Sequence, residues 1–386
     1  MRVGILTFHS QLNYGGVLQA YALQETLRGL GHDVIVLDRW LDPENRALTL
    51  GRDRMGFWGW TKLLLRSILG GDEIAKGVRV KRTRRFLRES MHLSEYSFYS
   101  WKDVPSDLGV DVIVVGSDQV WRTGRYAYPG VYLLEGAPDV PAVAYAASFG
   151  MKTIPDEYKS RYRKGLKRFK AISCRESSGV ALCEDLGFRA AHVVDPTLLL
   201  PSEHWRMFAG NCAHGTRKKI ICYFMDGDVP AILRKIEQFA TVHDVDVEVF
   251  LDSRFCTSLP KSFAQLVGRL RPKRTKFRTD AGPVEFVRAF SSADAVITDS
   301  FHALMFSVIF GCNVRFLRPE CEYRRDMFSR VEEFVRDGMS GKVIVGGIGE
   351  ALESITAGER VQFNVEFIAE RRKTSLEWLN ASLDLI

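Results

Sequence analysis

At 386 residues the chain is too long for one small core, so two domains of ordinary size are the expectation. Its 46% hydrophobic and 26% charged residues exclude a disordered or fibrous chain, and no run approaches the roughly 18 apolar residues needed to span a bilayer. The net charge of +7 is modest, and seven scattered cysteines without a CxxC pair fit reduced thiols better than a disulfide framework or a metal site.

The first residues, MRVGILTF, read as a strand and lack the basic start and cleavage site of a signal peptide, so the cytoplasm is the expected location. Short apolar runs then recur along the chain. They are RVGILTF (2–8), DVIVLD (33–38), DVIVVG (111–116), AVAYAASF (142–149), KAISCRE (170–176), KKIICYFM (218–225), DVEVFLD (246–252), DAVITD (294–299) and NVRFL (313–317). Each is followed by glycine or polar punctuation and a helical pattern. Continuous apolar strands alternating with helices predict parallel sheets covered on both faces, hence an α/β protein. Two sets of strands predict two Rossmann-like domains facing a cleft, over 1–185 and 186–350, with a last helix over 360–386 able to pack back on the first domain.

The stretch from about 45 to 100 breaks this rhythm. It contains GFWGWTKLLLRSILGG and then VRVKRTRRFLRES, with Arg79, Lys81, Arg82, Arg84, Arg85 and Arg88 crowded together. One reading is a helical insertion whose charges are solvated. The other is a basic amphipathic surface for anionic membrane or a lipid-diphosphate substrate, which predicts a peripheral position on the inner face of the cell membrane. No nucleic-acid motif accompanies the charge, and no nucleic-acid partner is expected.

Four strand ends carry residues suited to binding, since ligands of open α/β sheets sit at the carboxyl ends of strands, where helix N-termini offer free N–H groups. After the first strand, Asn13 and Tyr14 offer polar and stacking groups, while Gly15 and Gly16 permit close backbone approach; a structural tight turn explains them equally well. This loop is not GxGxxG, so the dinucleotide fingerprint is missing. After DVIVVG comes GSDQVW, where Asp118 and Gln119 either cap a helix or face a ligand. Arg175 leaves the end of KAISC, either as an ion-pair partner of Glu176 or as a planar fork for a carboxylate or phosphate. In TDSFHALMFS, Asp299 or Ser300 caps a helix and His302 sits in its first turn, either a satisfied surface histidine or a proton-transfer group at an anion-attracting end.

In this order and spacing, NYGGVLQAYAL, GSDQVW, AYAASFG, SCRES, VVDPTLLL and TDSFHA resemble the polysaccharide pyruvyl transferase family over about residues 3–340. The resemblance implies a glycosyltransferase-B-like pair of domains. It also implies transfer of the enolpyruvyl group of phosphoenolpyruvate onto two hydroxyls of a sugar or lipid-linked oligosaccharide, giving a cyclic ketal and phosphate. It implies no cofactor beyond that donor, and no metal. Residue by residue, it puts Arg175 and His302 on the donor and Asn13 to Gly16 on the acceptor side. Beside it, His302 is the natural group for proton transfer in catalysis, the Ser300 hydroxyl can bind a phosphate oxygen of the donor, and Asp118 and Gln119 are taken for the acceptor side. Family members carry a basic residue and an Asn-x-Arg stretch downstream of the histidine. Here RFLRPECEYRRDMFSRVEEF has no asparagine, so Arg318 and Arg325 are taken for the donor, with Arg324 and Arg330 as further candidates. A nucleotide-sugar glycosyltransferase, with Glu320 or Glu322 holding the ribose, is the competing enzyme. A non-catalytic sugar- or lipid-binding protein is the reading from another class.

Overall fold

A computed structural model describes residues 1–9, 12–40, 73–123, 129–210, 216–225, 229–251, 274–319 and 322–386. The first sheet is built from β1 (Arg2–Leu6), β2 (Asp33–Arg39), β3 (Leu93–Phe98), β4 (Val112–Val115), β5 (Ala142–Ala147), β6 (Phe169–Cys174) and β7 (Ala191–His192). Their spatial order is β3-β2-β1-β4-β5-β6-β7, and every neighbouring pair runs parallel. The second sheet contains β8 (Lys219–Phe224), β9 (Asp246–Leu251), β10 (Thr275–Phe277), β11 (Ala295–Thr298), β12 (Asn313–Leu317) and β14 (Ile344–Val345). These are ordered β10-β9-β8-β11-β12-β14, again all parallel. The short β13 (Met339–Ser340) and β15 (Gln362–Phe363) pair antiparallel beside them. The central strands VIVV and AVIT are buried along their whole length, as the continuous apolar runs require.

The chain therefore forms two Rossmann-like α/β domains of glycosyltransferase-B type. Two details differ from the sequence expectation. β7 extends the first sheet past residue 185, to His192. β3 is a strand inside the region expected to be a helical insertion; LSEYSF is a half-exposed edge strand, too polar to show as an apolar run.

Among the described residues, one of three apolar clusters runs through both domains. Tyr14 on the first helix, Tyr14–Gly29, stacks on Phe286 with ring centroids 4.4 Å apart, and Trp205 meets Phe306 edge-on at 4.9 Å. The basic run forms the helix Glu73–Ser90, and only some of its cations are solvated as the first reading expects. Arg79 is buried, donates to the carbonyls of Leu12 and Leu251, and lies 4.3 Å above the Tyr14 ring. Arg82 pairs with Asp280 and Glu285 of the second domain. Arg84 is also buried, while Lys81, Arg85 and Arg88 stay exposed, Arg85 paired to Glu89 at 2.8 Å. Arg79 and Arg82 thus fasten one domain to the other, while Lys81, Arg85 and Arg88 remain on the surface. The aromatic stretch before it, at 56–71, lies outside the described residues. Among those residues no helix is long and apolar enough to cross a membrane.

The last helix, Val365–Leu383, returns to the first domain. Ser375 accepts from the Val194 N–H at 3.0 Å, Arg372 donates to the Leu198 carbonyl at 2.6 Å, and Trp378 reaches Tyr145 of β5.

Candidate active site between the domains

The site begins where β11 ends. The Thr298 hydroxyl donates to the Tyr223 carbonyl at 2.6 Å and accepts from the Ser300 N–H at 3.0 Å, steering the chain into the helix Phe301–Phe310. Ser300 is the N-cap residue, with extended backbone, and its hydroxyl makes no capping bond. His302 lies in the first turn, buried, and its ring presses on the glycine loop of the other domain. A Cβ placed on Gly15 would stand 2.1 Å from His302 Nδ1. Only a residue without a side chain admits the imidazole there. Gly16 is different: its nearest neighbours, the Phe8 carbonyl and the Asp118 carboxylate, would lie 3.4 and 3.6 Å from an added Cβ, ordinary contact.

His302 Nε2 is 3.5 Å from Asp195 Oδ2, close enough for charge attraction though not aligned as a hydrogen bond. Asp195 stands in the N-cap position of the short turn Pro196–Leu198, and its Oδ1 accepts from the Thr197 N–H at 3.0 Å and hydroxyl at 2.7 Å. Its Oδ2 takes a 2.7 Å bond from Arg175 Nη1. Arg175 in turn reaches Asp118 Oδ1 at 3.4 Å. His302, Asp195, Arg175 and Asp118 thus form one continuous polar chain from the second domain into the first. Burial by itself raises the Asp195 carboxyl pKa, but the charges of His302 and Arg175 outweigh it and hold the group well below the usual carboxylate range. Burial opposes the Arg175 charge as well, and Asp195, Asp118 and Glu176 together restore it.

Arg330 completes the arrangement. It projects from the helix Glu322–Gly338 to within 4.7 Å of the Phe301 ring centroid, a ring that Arg175 approaches at 4.8 Å. Burial and the neighbouring Arg175 push its pKa down to about 10, and its buried Nε and Nη1 have no hydrogen-bond partner. Beside these two guanidiniums is a cavity of about 120 Å³, bounded also by Asp195, Phe301, Glu333 and Arg371. Two guanidiniums at one aromatic ring, both with buried nitrogens that lack a hydrogen-bond partner, form a receptor for an anion.

The other predicted residues fall in several places. Asn13 caps the first helix, accepting from the Gly15 N–H at 2.9 Å. Tyr14 is buried in the interdomain core with its hydroxyl on the Ala281 carbonyl, so its ring offers no free stacking face. Asp118 is held with φ of 65°, its carbonyl accepting from Val120 and Ser148. Gln119 donates its N–H to the Asp118 carboxylate and lies beside Arg122. Arg318 and Arg325 are exposed and do not line the cavity; Arg318 faces Glu332 at 3.9 Å. Arg330 takes the place expected of them, because the helical turn carries residue 330 inward while 325 points out. The Arg324 and Glu322 side chains and residue 320 lie outside what is described. Asp195 was not singled out from the sequence; its signal was the Asp-Pro-Thr at a strand exit, a ready-made cap.

The family model for polysaccharide pyruvyl transferases matches residues 13–320. The chain belongs to this family. A polysaccharide pyruvyl transferase is thus a transferase of polysaccharide pyruvylation, and its matched span covers the glycine loop, Asp118, Arg175, Asp195 and His302 but stops short of Arg330. Its fold resembles UDP-GlcNAc 2-epimerase from Neisseria meningitidis bound to UDP-GlcNAc, at 11% identity, with TM-score 0.54 and 100% of each chain covered. It also resembles the Methanocaldococcus jannaschii UDP-GlcNAc 2-epimerase in complex with UDP-GlcNAc and UDP, at 11% identity, with TM-score 0.50 and 92% of each chain covered. At such identities the likeness is one of fold. No curated protein matches the sequence.

Proposed function

We propose that this polysaccharide pyruvyl transferase takes phosphoenolpyruvate as donor and builds a pyruvate ketal on two hydroxyls of a sugar, free or lipid-linked. The observation that carries this reading is the unsatisfied Arg330 guanidinium, set with Arg175 at the ring of Phe301, which itself meets the His302 ring edge-on. Phosphoenolpyruvate is small and strongly anionic, and its carboxylate and phosphate match a paired guanidinium site.

In this scheme His302 gives a proton to the methylene carbon, which becomes the methyl group, and C2 acquires oxocarbenium character. A sugar hydroxyl adds to C2. The C2–O bond to phosphate breaks, and a second hydroxyl closes the ring. Of the two hydroxyl protons released, one replaces that on His302 and the other leaves with phosphate. Asp195, held ionised, orients the imidazole and stabilises its protonated form. Asp118 and the glycine loop stand on the acceptor side, next to the ring.

The competing donor is a nucleotide sugar, as borne by the solved structures of similar fold. A thermal-shift comparison separates the two: phosphoenolpyruvate is expected to raise the melting temperature, and UDP- or GDP-sugars are not. Stabilisation by the nucleotide sugars alone would sink the reading. His302→Gln is expected to slow turnover about 100-fold, the scale of a lost acid–base group, while keeping phosphoenolpyruvate binding.

A further inference from the structure

Glu333 ties the helix that carries Arg330 to the first domain. Glu333 Oε2 accepts from the Ser177 hydroxyl at 2.8 Å and from its N–H at 3.3 Å. Ser177 opens the helix Ser177–Asp185, where negative charge is favoured. Glu333 Oε1 lies 3.6 Å from His192 Nδ1, and the other nitrogen of that ring is 3.2 Å from the Arg175 carbonyl oxygen. Glu333 follows Arg330 by three residues, so both side chains leave the same face of their helix.

Burial and Arg175 oppose the Arg330 charge at this place, while Glu176, Asp118 and Asp195 favour it. Two guanidiniums at one aromatic ring repel each other, and burial strips both of water. The contacts of Glu333 add a hold on the helix itself, and they reach the same β6–β7 end of the first domain that presents Arg175. We infer that Glu333 is a positioning residue: through Ser177 and His192 it latches the Glu322–Gly338 helix to the first domain, so that the donor pocket is complete only while the latch is made. This rests on the donor reading above.

The test uses the full chain. In calorimetric titration with phosphoenolpyruvate, Glu333→Ala is expected to weaken binding tenfold or more, with the ligand-free melting temperature lowered by no more than about 4 °C. Glu333→Gln keeps an oxygen for the Ser177 donors and is expected to recover part of the loss, which a residue acting through bulk stability would not show. Ser177→Ala removes only the hydroxyl bond and is expected to cost about three- to tenfold, serving if the Glu333 variants fold poorly. In ligand-free protein, amide hydrogen exchange over 177–185 and 322–338 should quicken in Glu333→Ala. Wild-type phosphoenolpyruvate affinity in Glu333→Ala overturns the latch. If the unmodified protein takes no phosphoenolpyruvate, the donor reading falls separately, and unchanged exchange in Glu333→Ala overturns the latch alone.

Discussion

Asp195 is where the two halves of the site meet, and its buried carboxylate lies against both the Arg175 guanidinium and the His302 ring. Asp195→Asn removes that charge and leaves the buried Arg175 guanidinium without its nearest carboxylate. Breaking a buried ion pair from one side costs about 3–5 kcal/mol, and chemical denaturation should show a loss of that size. The pH dependence follows from the direction of its shift. A carboxyl whose folded pKa is depressed contributes stability in full above its unfolded value, about 3.9, and loses it as pH falls toward the folded one. The protein should therefore weaken steeply in acid, and Asp195→Asn should flatten that limb. Arg330 predicts the opposite balance. Its charge is desolvated, unsatisfied and close to Arg175, so Arg330→Gln should leave the melting temperature unchanged or raise it while weakening phosphoenolpyruvate binding at least tenfold. A loss of stability in proportion to the loss of binding would return Arg330 to a structural role.

Among the elements, the glycine loop separates two neighbours of the same kind. Gly15→Ala drives a methyl into the His302 imidazole, whereas Gly16→Ala meets ordinary contact distances. Gly15→Ala should abolish turnover, with much smaller change in Gly16→Ala, as an assay of phosphate release from phosphoenolpyruvate would record. The sequence made this loop, Arg175 and His302 visible because each sits at the end of an apolar strand, where α/β proteins hold ligands. It did not show that Gly15 and His302 touch, since 287 residues separate them (302 − 15) and no local pattern encodes the contact. The basic helix is only half legible for a related reason. Arg79 and Arg82 look solvated in sequence because their partners, the Leu251 carbonyl, Asp280 and Glu285, come from the second domain. Among the four candidate arginines, the sequence does not show that the helix phase turns residue 330 toward the cavity and 325 outward. Asp195 gave only a capping signal, and capping is also what it does.

For the whole molecule, the returning C-terminal helix is more than a surface element. It holds the turn that presents Asp195, through Ser375 to the Val194 N–H and Arg372 to the Leu198 carbonyl, and it buries Leu379 and Leu383 against the common core. Removing residues 365–386 uncovers those leucines, each worth about 1.5–3 kcal/mol, and frees the turn. The truncated protein should melt lower and lose phosphoenolpyruvate binding together, by calorimetry. Retained binding would show that the turn holds its shape unaided.

The imidazole of His302 occupies the space that a side chain on Gly15 would need, so neither domain owns a finished centre. The two halves are consequently poor candidates for exchange. A chimera pairing one member's first half with another's second inherits chemistry only where the incoming ring finds its hollow. A change on one side of this seam is tolerated only with a matching change on the other.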